Sequence, residues 1–299
     1  QVLTDLIYGK IDCLIGTHAM LNEKVTFKNL GLVVTDEQHR FGVNQRNIIE
    51  NKGQGVDVIY MSATPIPRTY ALGLYGDMDI SIIKSKPSGR KPIITKMLLD
   101  KDLMIALKTC YDNLKAGHQI YVVAPLVEEN SEDKDSSLED VKKLADKFNV
   151  AFKGKYPVGI LYGKMNKEAK NKVMQAFKEG KIKILISTTV IEVGVDVSNA
   201  TVMMIYNANL FGLATLHQLR GRVGRSSIQS YCFLISKVEE ERLRVLESSN
   251  DGFYISEKDF EMRGEGDIFG ERQSGDMTFK IGNIKKDGKI WLQAYKDSL

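Results

Sequence analysis

Asp36 and Glu37 stand side by side at the end of an apolar run, in the stretch LVVTDEQHR, with His39 two residues on. Adjacent carboxylates in such a place suit two coupled tasks. One holds a divalent cation, directly or through water, and the other takes a proton from an attacking water. MSATPIPR puts the hydroxyls of Ser62 and Thr64 past the next apolar run, where they can hydrogen-bond to that pair and relay its state. ISTTVIEVGVD ends a third run with Ser187, Thr188 and Thr189, whose hydroxyls and backbone amides can bind phosphate. There Gly194 allows close backbone approach, and Asp196 can reach a ribose or a nucleotide-bound water. HQLRGRVGR spaces Gln218, Arg222 and Arg225 by four and three. On a helix these offsets share one face, and arginines so presented stabilise charge in phosphoryl transfer. Taken singly, the first three stretches also read as a solvated carboxylate pair, a Ser/Thr/Pro turn and a strand end; the fourth also reads as a basic surface helix, though its two glycines argue against that. A carboxylate pair of the Asp36–Glu37 kind ordinarily works opposite a glycine-rich loop ending in Gly-Lys-Thr or Gly-Lys-Ser, and the sequence contains neither.

Short apolar runs must position these residues. DCLIG (12–16), LGLVVTD (30–36) and DVIYMSA (57–63) read as buried parallel strands, with a short helix over 44–52. After KSKPSGRKP (84–92) a second series begins: QIYVVAP, VGILYG, IKILIS, TVMMIYN and SYCFLIS. Helical patterns separate them over 101–114, 138–148 and 167–178. Strand and helix in alternation predict doubly wound α/β units, whose functional residues gather past the carboxyl ends of strands. The chain therefore divides into an α/β unit over 1–88, a second over 89–237, and a tail over 238–299. The tail carries a helix in VEEERLRVLESSN, a second in ISEKDFEMRG, and a glycine- and charge-rich loop, GEGDIFGERQSGD. The acidic stretch 127–140 reads as a solvated loop.

The 299 residues carry 42 basic and 38 acidic side chains, for a net charge of +4. That balance permits local basic grooves without demanding nucleic acid. Cys13, Cys110 and Cys232 are too sparse for a metal site, and the four histidines are isolated, so the expectation is reduced thiols, no zinc and a cytoplasmic protein. The charge-free stretch 197–219 is broken by Asn199, Asn207, Asn209, His217 and Gln218, so no membrane span is expected. The chain opens on Gln1 inside what reads as the tail of a helix, which suggests a portion of a longer protein.

In order and spacing, DEQH, SAT, STTVIEVGVD and QLRGRVGR resemble motifs II, III, V and VI of the superfamily-two helicases and translocases. Within that superfamily, GTHAM, DEQHRFGVNQR, ATPIPRTYALGLYGDMD, PSGRKPI and NDGF…EKDFEMRGEGDIFGERQSG resemble the RecG family of bacterial branch-migration helicases. The resemblance covers nearly the whole chain. The Mfd family of transcription-repair coupling factors shares the tail motif and is the rival. It typically carries a second Glu in motif II, where this chain has Gln38. The resemblance implies two RecA-like parallel-sheet domains, the first incomplete, followed by a helical hairpin and a coupling loop. It implies that the phosphate loop and a wedge domain that grips branched DNA belong upstream of Gln1, so that this stretch alone is inactive.

ATP with Mg2+ would then lie between the two α/β units. Asp36 would hold magnesium through water, and Glu37 would polarise the attacking water. His39, Gly194 and Asp196 would serve the nucleotide, and Gln218, Arg222 and Arg225 would close from the second domain about a hinge near 85–91. Thr17 and His18 of GTHAM, with Lys164 and Thr188, would track a DNA backbone. Tyr162 stands where the family often has His, which leaves any His-specific contact there in doubt. Ser62, Thr64, Arg263, Arg272 and Gln273 would couple nucleotide state to DNA movement. The implied partner is branched DNA, at forks and Holliday junctions, met by a cytoplasmic, nucleoid-associated monomer in recombination and repair. A nucleic-acid-binding module without turnover is the reading from another class.

Overall fold

Residues 120–123 read Ile-Tyr-Val-Val, with no polar side chain to mark an outer face, and such a run needs cover on both sides. The computed structural model supplies it in one of two compact units. The described residues of the first unit are 1–37, 48, 52–53 and 55–62. Those of the second are 79–83, 89–125, 136–188, 197–262, 290, 293–294 and 297. The units divide between residues 65 and 66, and the boundary expected at 88 remains an expectation.

In the first unit, helix α1 (Val2–Ile7) buries Leu6. Strands β1 (Leu32–Thr35) and β2 (Asp57–Tyr60) pair in parallel, with Leu32 opposite Asp57 and Thr35 opposite Tyr60. Lys52 ties the connecting chain down, donating from Nζ to the carbonyls of Asn22 (2.8 Å) and Val25 (2.9 Å). The strand expected over 12–16 does not form. A strand exists only through a ladder to a neighbour, and no described strand pairs with these residues, where Ile15 is exposed. Of the helix expected over 44–52, most lies outside the described residues.

The second unit is built on six parallel strands in the order β3-β8-β7-β4-β6-β5. They are β3 (Ile94–Leu99), β4 (Gln119–Val123), β5 (Val158–Leu161), β6 (Ile184–Ser187), β7 (Ala200–Ile205) and β8 (Tyr231–Ser236). Five were legible as apolar runs; β3 was not. On β4, Ile120 and Val122 enter a core with α2 (Leu103–Lys115) and α3 (Ser136–Ala151). Tyr121 and Val123 enter the opposite core with α4 (Lys167–Lys178), α5 (Leu213–Arg220) and α6 (Glu241–Ser248). The period-two alternation of a strand thus feeds two cores from one apolar run. The helix expected over 167–178 forms with those bounds. The Asn166 side chain caps it by accepting from the Ala169 N–H (2.8 Å), and Gly180 follows its end at φ +73.

Helices α6 and α7 (Gly252–Met262) form the expected hairpin, and α7 also packs on α5. The Asp251 carboxylate starts α7 by accepting from the Phe253 N–H at 2.9 Å.

Candidate functional site

In the first unit, β1 and β2 end together, and the Met61 N–H donates to the Thr35 carbonyl at 2.8 Å. The register carries Asp36–Glu37 past one strand end and Met61–Ser62 past its neighbour. Asp36 is exposed, and its Oδ1 accepts from the Glu37 N–H at 2.8 Å. Glu37 is half-buried at φ 55, a left-handed conformation uncommon for a side chain of this kind. The bend turns the two carboxylates away from a simple strand continuation, and such outliers concentrate at functional sites. No group of three or more His, Cys, Asp or Glu forms a metal cage among the described residues. One exposed carboxylate with a neighbour suits magnesium, which keeps most of its waters and takes few protein ligands. Thr17 is exposed at the end of an extended segment, before a 3-10 turn over 18–21. The side chain of His18 lies outside the described residues, as do His39 and Thr64.

In the second unit, two groups of candidates sit at opposite ends of the sheet. Lys164 and Thr188 follow the carboxyl ends of the neighbouring strands β5 and β6, and the Thr188 N–H donates to the Leu161 carbonyl at 3.1 Å. Lys164 is exposed in the turn before α4, where Lys170 Nζ donates to the Gly163 carbonyl at 2.6 Å. Thr188 is a correction to the expectation of a surface contact. Its side chain is 2% exposed, and Oγ1 has no hydrogen-bond partner. Gly194 and Asp196 lie outside the described residues.

The arginines lie at the other end. After β7, α5 runs back along the sheet and stops at Arg220, with Gly221 as its cap. Residues 221–230 then form a loop that enters β8 at its amino end. Gln218 is exposed on α5, while Arg222 and Arg225 lie beyond the helix and are half-buried. The expectation that one helix face carries all three is therefore overturned. Gly221 ends the helix, and Gly224, at φ +74, takes the chain into a left-handed turn that a helix cannot contain. Arg225 Nε donates back to the Gly221 carbonyl at 3.1 Å, so the turn itself orients this guanidinium.

One residue of this stretch was not foreseen. Arg220 is 2% exposed. Its Nη1 donates to the carbonyls of Leu246 and Ser249, both at 2.8 Å, and to Thr95 Oγ1 at 3.4 Å. Its Nη2 donates to His217 Nδ1 at 3.0 Å, which places the imidazole proton on Nε2 when the ring is neutral. Burial pulls its pKa below the usual arginine range. The carbonyls at the end of α6 carry the negative end of that helix and compensate the charge. Leu213, Leu216 and Arg220 recur at helical spacing, so an apolar stripe ending in arginine was the available signal. Arg263, Arg272 and Gln273 lie outside the described residues.

Comparison with known proteins fits this arrangement. A DEAD/DEAH box helicase model matches residues 1–72, the helicase conserved C-terminal domain matches 102–227, and domain 3 of ATP-dependent DNA helicase RecG, C-terminal, matches 249–298. MrfA, a helicase solved with DNA and AMPPNP, superposes with a TM-score of 0.53 at 19% identity, over 77% of this chain and 35% of its own, which speaks for the fold alone. These matches define a helicase fold of two RecA-like domains with an appended hairpin.

Within that class the likeness narrows. The ATP-dependent DNA helicase RecG of Staphylococcus epidermidis is 51% identical over 302 residues, covering 99% of this chain and 43% of the relative. That of Bacillus subtilis is 47% identical over 305 residues, covering 100% of this chain and 44% of the relative. A structure of RecG bound to a three-way DNA junction superposes with a TM-score of 0.72 at 40% identity, over 97% of this chain and 37% of that one. The chain belongs to the RecG family, and it spans less than half the length of these relatives.

Proposed function

We propose that this chain is the motor portion of an ATP-dependent DNA helicase that remodels branched DNA. The observation that carries the reading is the division of the second sheet into two working ends. Arg222 and Arg225 stand at the amino ends of β3 and β8, while Lys164 and Thr188 stand past the carboxyl ends of β5 and β6. A unit built so can answer a nucleotide at one end and a DNA backbone at the other.

Asp36 would hold a magnesium ion through water. When bound, magnesium and ATP supply the cation and the phosphoryl group that such a motor turns over. Glu37 accepts the proton of the attacking water, with its backbone at φ 55 and its N–H bonded to the Asp36 carboxylate. Arg222 and Arg225 neutralise the charge that develops on the transferred group. Ser62, at the neighbouring strand end, is placed to sense the state of the carboxylates. Lys164, with the exposed Thr17 of the first unit, contacts phosphates and so tracks DNA without reading its sequence. The remaining nucleotide and coupling roles fall on His39, Gly194, Asp196, Arg263, Arg272 and Gln273. The protein works as a monomer in the cytoplasm, at the nucleoid, on forks and Holliday junctions. Among the described residues no helix is long and apolar enough to cross a membrane.

The test is ATP hydrolysis by the chain joined to the upstream length that its relatives carry. A three-way junction should stimulate turnover more than linear duplex of equal length. DNA binding that ignores nucleotide, with no turnover, would favour a binding module. Stimulation only in the presence of RNA polymerase would favour the Mfd-type alternative.

A further inference from the structure

The residue that leads the chain into the second sheet packs on the arginine loop and is hydrogen-bonded to the turn of the hairpin. Ile93 immediately precedes β3 and is half-buried against the core that holds α5 and α6. Its side chain fills the space over Gly224, where an added Cβ would lie 2.7 Å from Ile93 Cγ1. Its carbonyl accepts from Asn250 Nδ2 at 3.2 Å, in the turn between α6 and α7. The Pro92 carbonyl accepts from Gln229 Nε2 at 2.9 Å, and the Ile94 N–H donates to the Ser230 carbonyl at 3.0 Å. The loop of residues 221–230 is thus held at its start by Val223 in the core, at its middle by Gly224 on Ile93, and at its end by the Pro92 and Ile94 contacts.

We propose that Ile93 is a positioning residue: it latches the segment that leads into β3 to the arginine loop, so that movement of that segment resets Arg222 and Arg225. The physical reasons are local. Gly224 sits at φ +74, a conformation with no side chain of its own to anchor it, so a neighbour must fix it. Ile93 does so through packing rather than a hydrogen bond, and a β-branched side chain has few rotamers in which to yield. The peptide groups on either side of Ile93 are bonded to Gln229 and Ser230, so a torsion change in 91–93 is passed directly to the far end of the loop. Asn250 adds a third attachment, making the turn of the hairpin a party to the same movement. The proposal rests on the reading of Arg222 and Arg225 as groups that act on ATP.

The experiment has two arms, so that the latch and that reading fail separately. Hydrogen exchange is measured on this chain as wild type, Ile93→Ala, Ile93→Val and Leu98→Ala. Leu98 is a buried residue of the same strand, in the opposite core, and controls for general loosening. Ile93→Ala should speed exchange of the amides of 222–228 by about tenfold, with Ile93→Val close to wild type and Leu98→Ala leaving the loop unchanged. In the chain joined to its upstream length, Ile93→Ala should lower kcat for ATP roughly tenfold to a hundredfold at little-changed KM, and Ile93→Val should restore it. Loop exchange that Ile93→Ala does not alter, or that Leu98→Ala alters equally, overturns the latch. Faster exchange with undiminished kcat overturns the positioning role. A wild type that shows faster loop exchange in Ile93→Ala yet never hydrolyses ATP overturns the functional reading and leaves Ile93 a structural tether only.

Discussion

The described strands of the two units are covered to different degrees. In the second, β4, β6 and β7 lie inside a six-strand sheet, and every residue of these strands is buried. Among the described residues of the first, β1 and β2 pair as a two-strand ladder whose Leu32, Val34 and Ile59 are 52%, 51% and 49% exposed. The second unit therefore fixes its arginines by its own packing: Val223 in the core, Arg220 on the end of α6, Gly224 on Ile93. The first offers its carboxylates on a bent strand end. An acid–base pair can be set by local backbone geometry, but guanidinium groups at the end of long side chains need a rigid frame.

The comparison can be broken most severely at its chemical ends. In the chain with its upstream length, Arg225→Ala should lower ATP turnover by about a thousandfold, and Glu37→Gln by roughly a hundredfold to a thousandfold, each sparing nucleotide binding as read by calorimetry. Normal turnover in either variant removes that residue from the site.

The frame itself is tested next. Arg220→Ala leaves the Leu246 and Ser249 carbonyls without their buried donor and should cost the second unit about 3 kcal/mol, read from urea unfolding. A loss within that of an ordinary surface substitution would mean that Arg220 does not join α5 to the hairpin.

A smaller effect separates the two sheets directly. Val122→Thr puts a hydroxyl where the side chain is 0% exposed and should cost about 2 kcal/mol. Val34→Thr, on the open face of β1, should stay within about 0.5 kcal/mol. Equal costs would mean that the two sheets are equally covered in solution.

A further effect is alkaline. Burial pushes the Cys232 thiol up to about 12 and raises that of Cys110 as well. Both are thiols in the folded chain at a pH where the unfolded chain holds thiolates. Their contribution is complete below the ordinary thiol pKa and is lost as pH rises from about 9 towards 12. The second unit should lose stability over that window, read as a fall in the urea midpoint as pH rises. At neutral pH iodoacetamide should label Cys13, which is exposed, and spare the other two until unfolding.

What the sequence disclosed follows the same division. The central strands were legible because two-sided burial leaves an unbroken apolar run, as in Ile184–Ile186 and Val202–Ile205. Strand β3 was missed because it is an edge strand: Lys96 is exposed in its middle, and ITKMLL shows neither a full run nor a clean alternation. DCLIG has the composition of a strand but no described partner, and composition cannot report pairing. At the candidate site, the motifs named the carboxylates and the arginines, whereas the local backbone that carries each was hidden. A spacing of four and three suggested one helix face, and two glycines ended the helix first. The expected placement past the carboxyl ends of strands describes where the candidates Asp36 and Lys164 lie. It fails for Arg222 and Arg225, because α5 carries the chain back to the amino end before the loop begins.

The proposal at the centre is that Glu37 and Arg225 both serve one reaction, ATP hydrolysis. The most direct measurement is ATP turnover, in the presence of a three-way junction, by wild type, Glu37→Gln, Arg225→Ala and the double variant, all in the chain with its upstream length. Groups that act as one machine are not additive, so the double variant should fall no further than the worse single. Losses that multiply, or a single variant that turns over as wild type does, would show that the two units do not share a reaction.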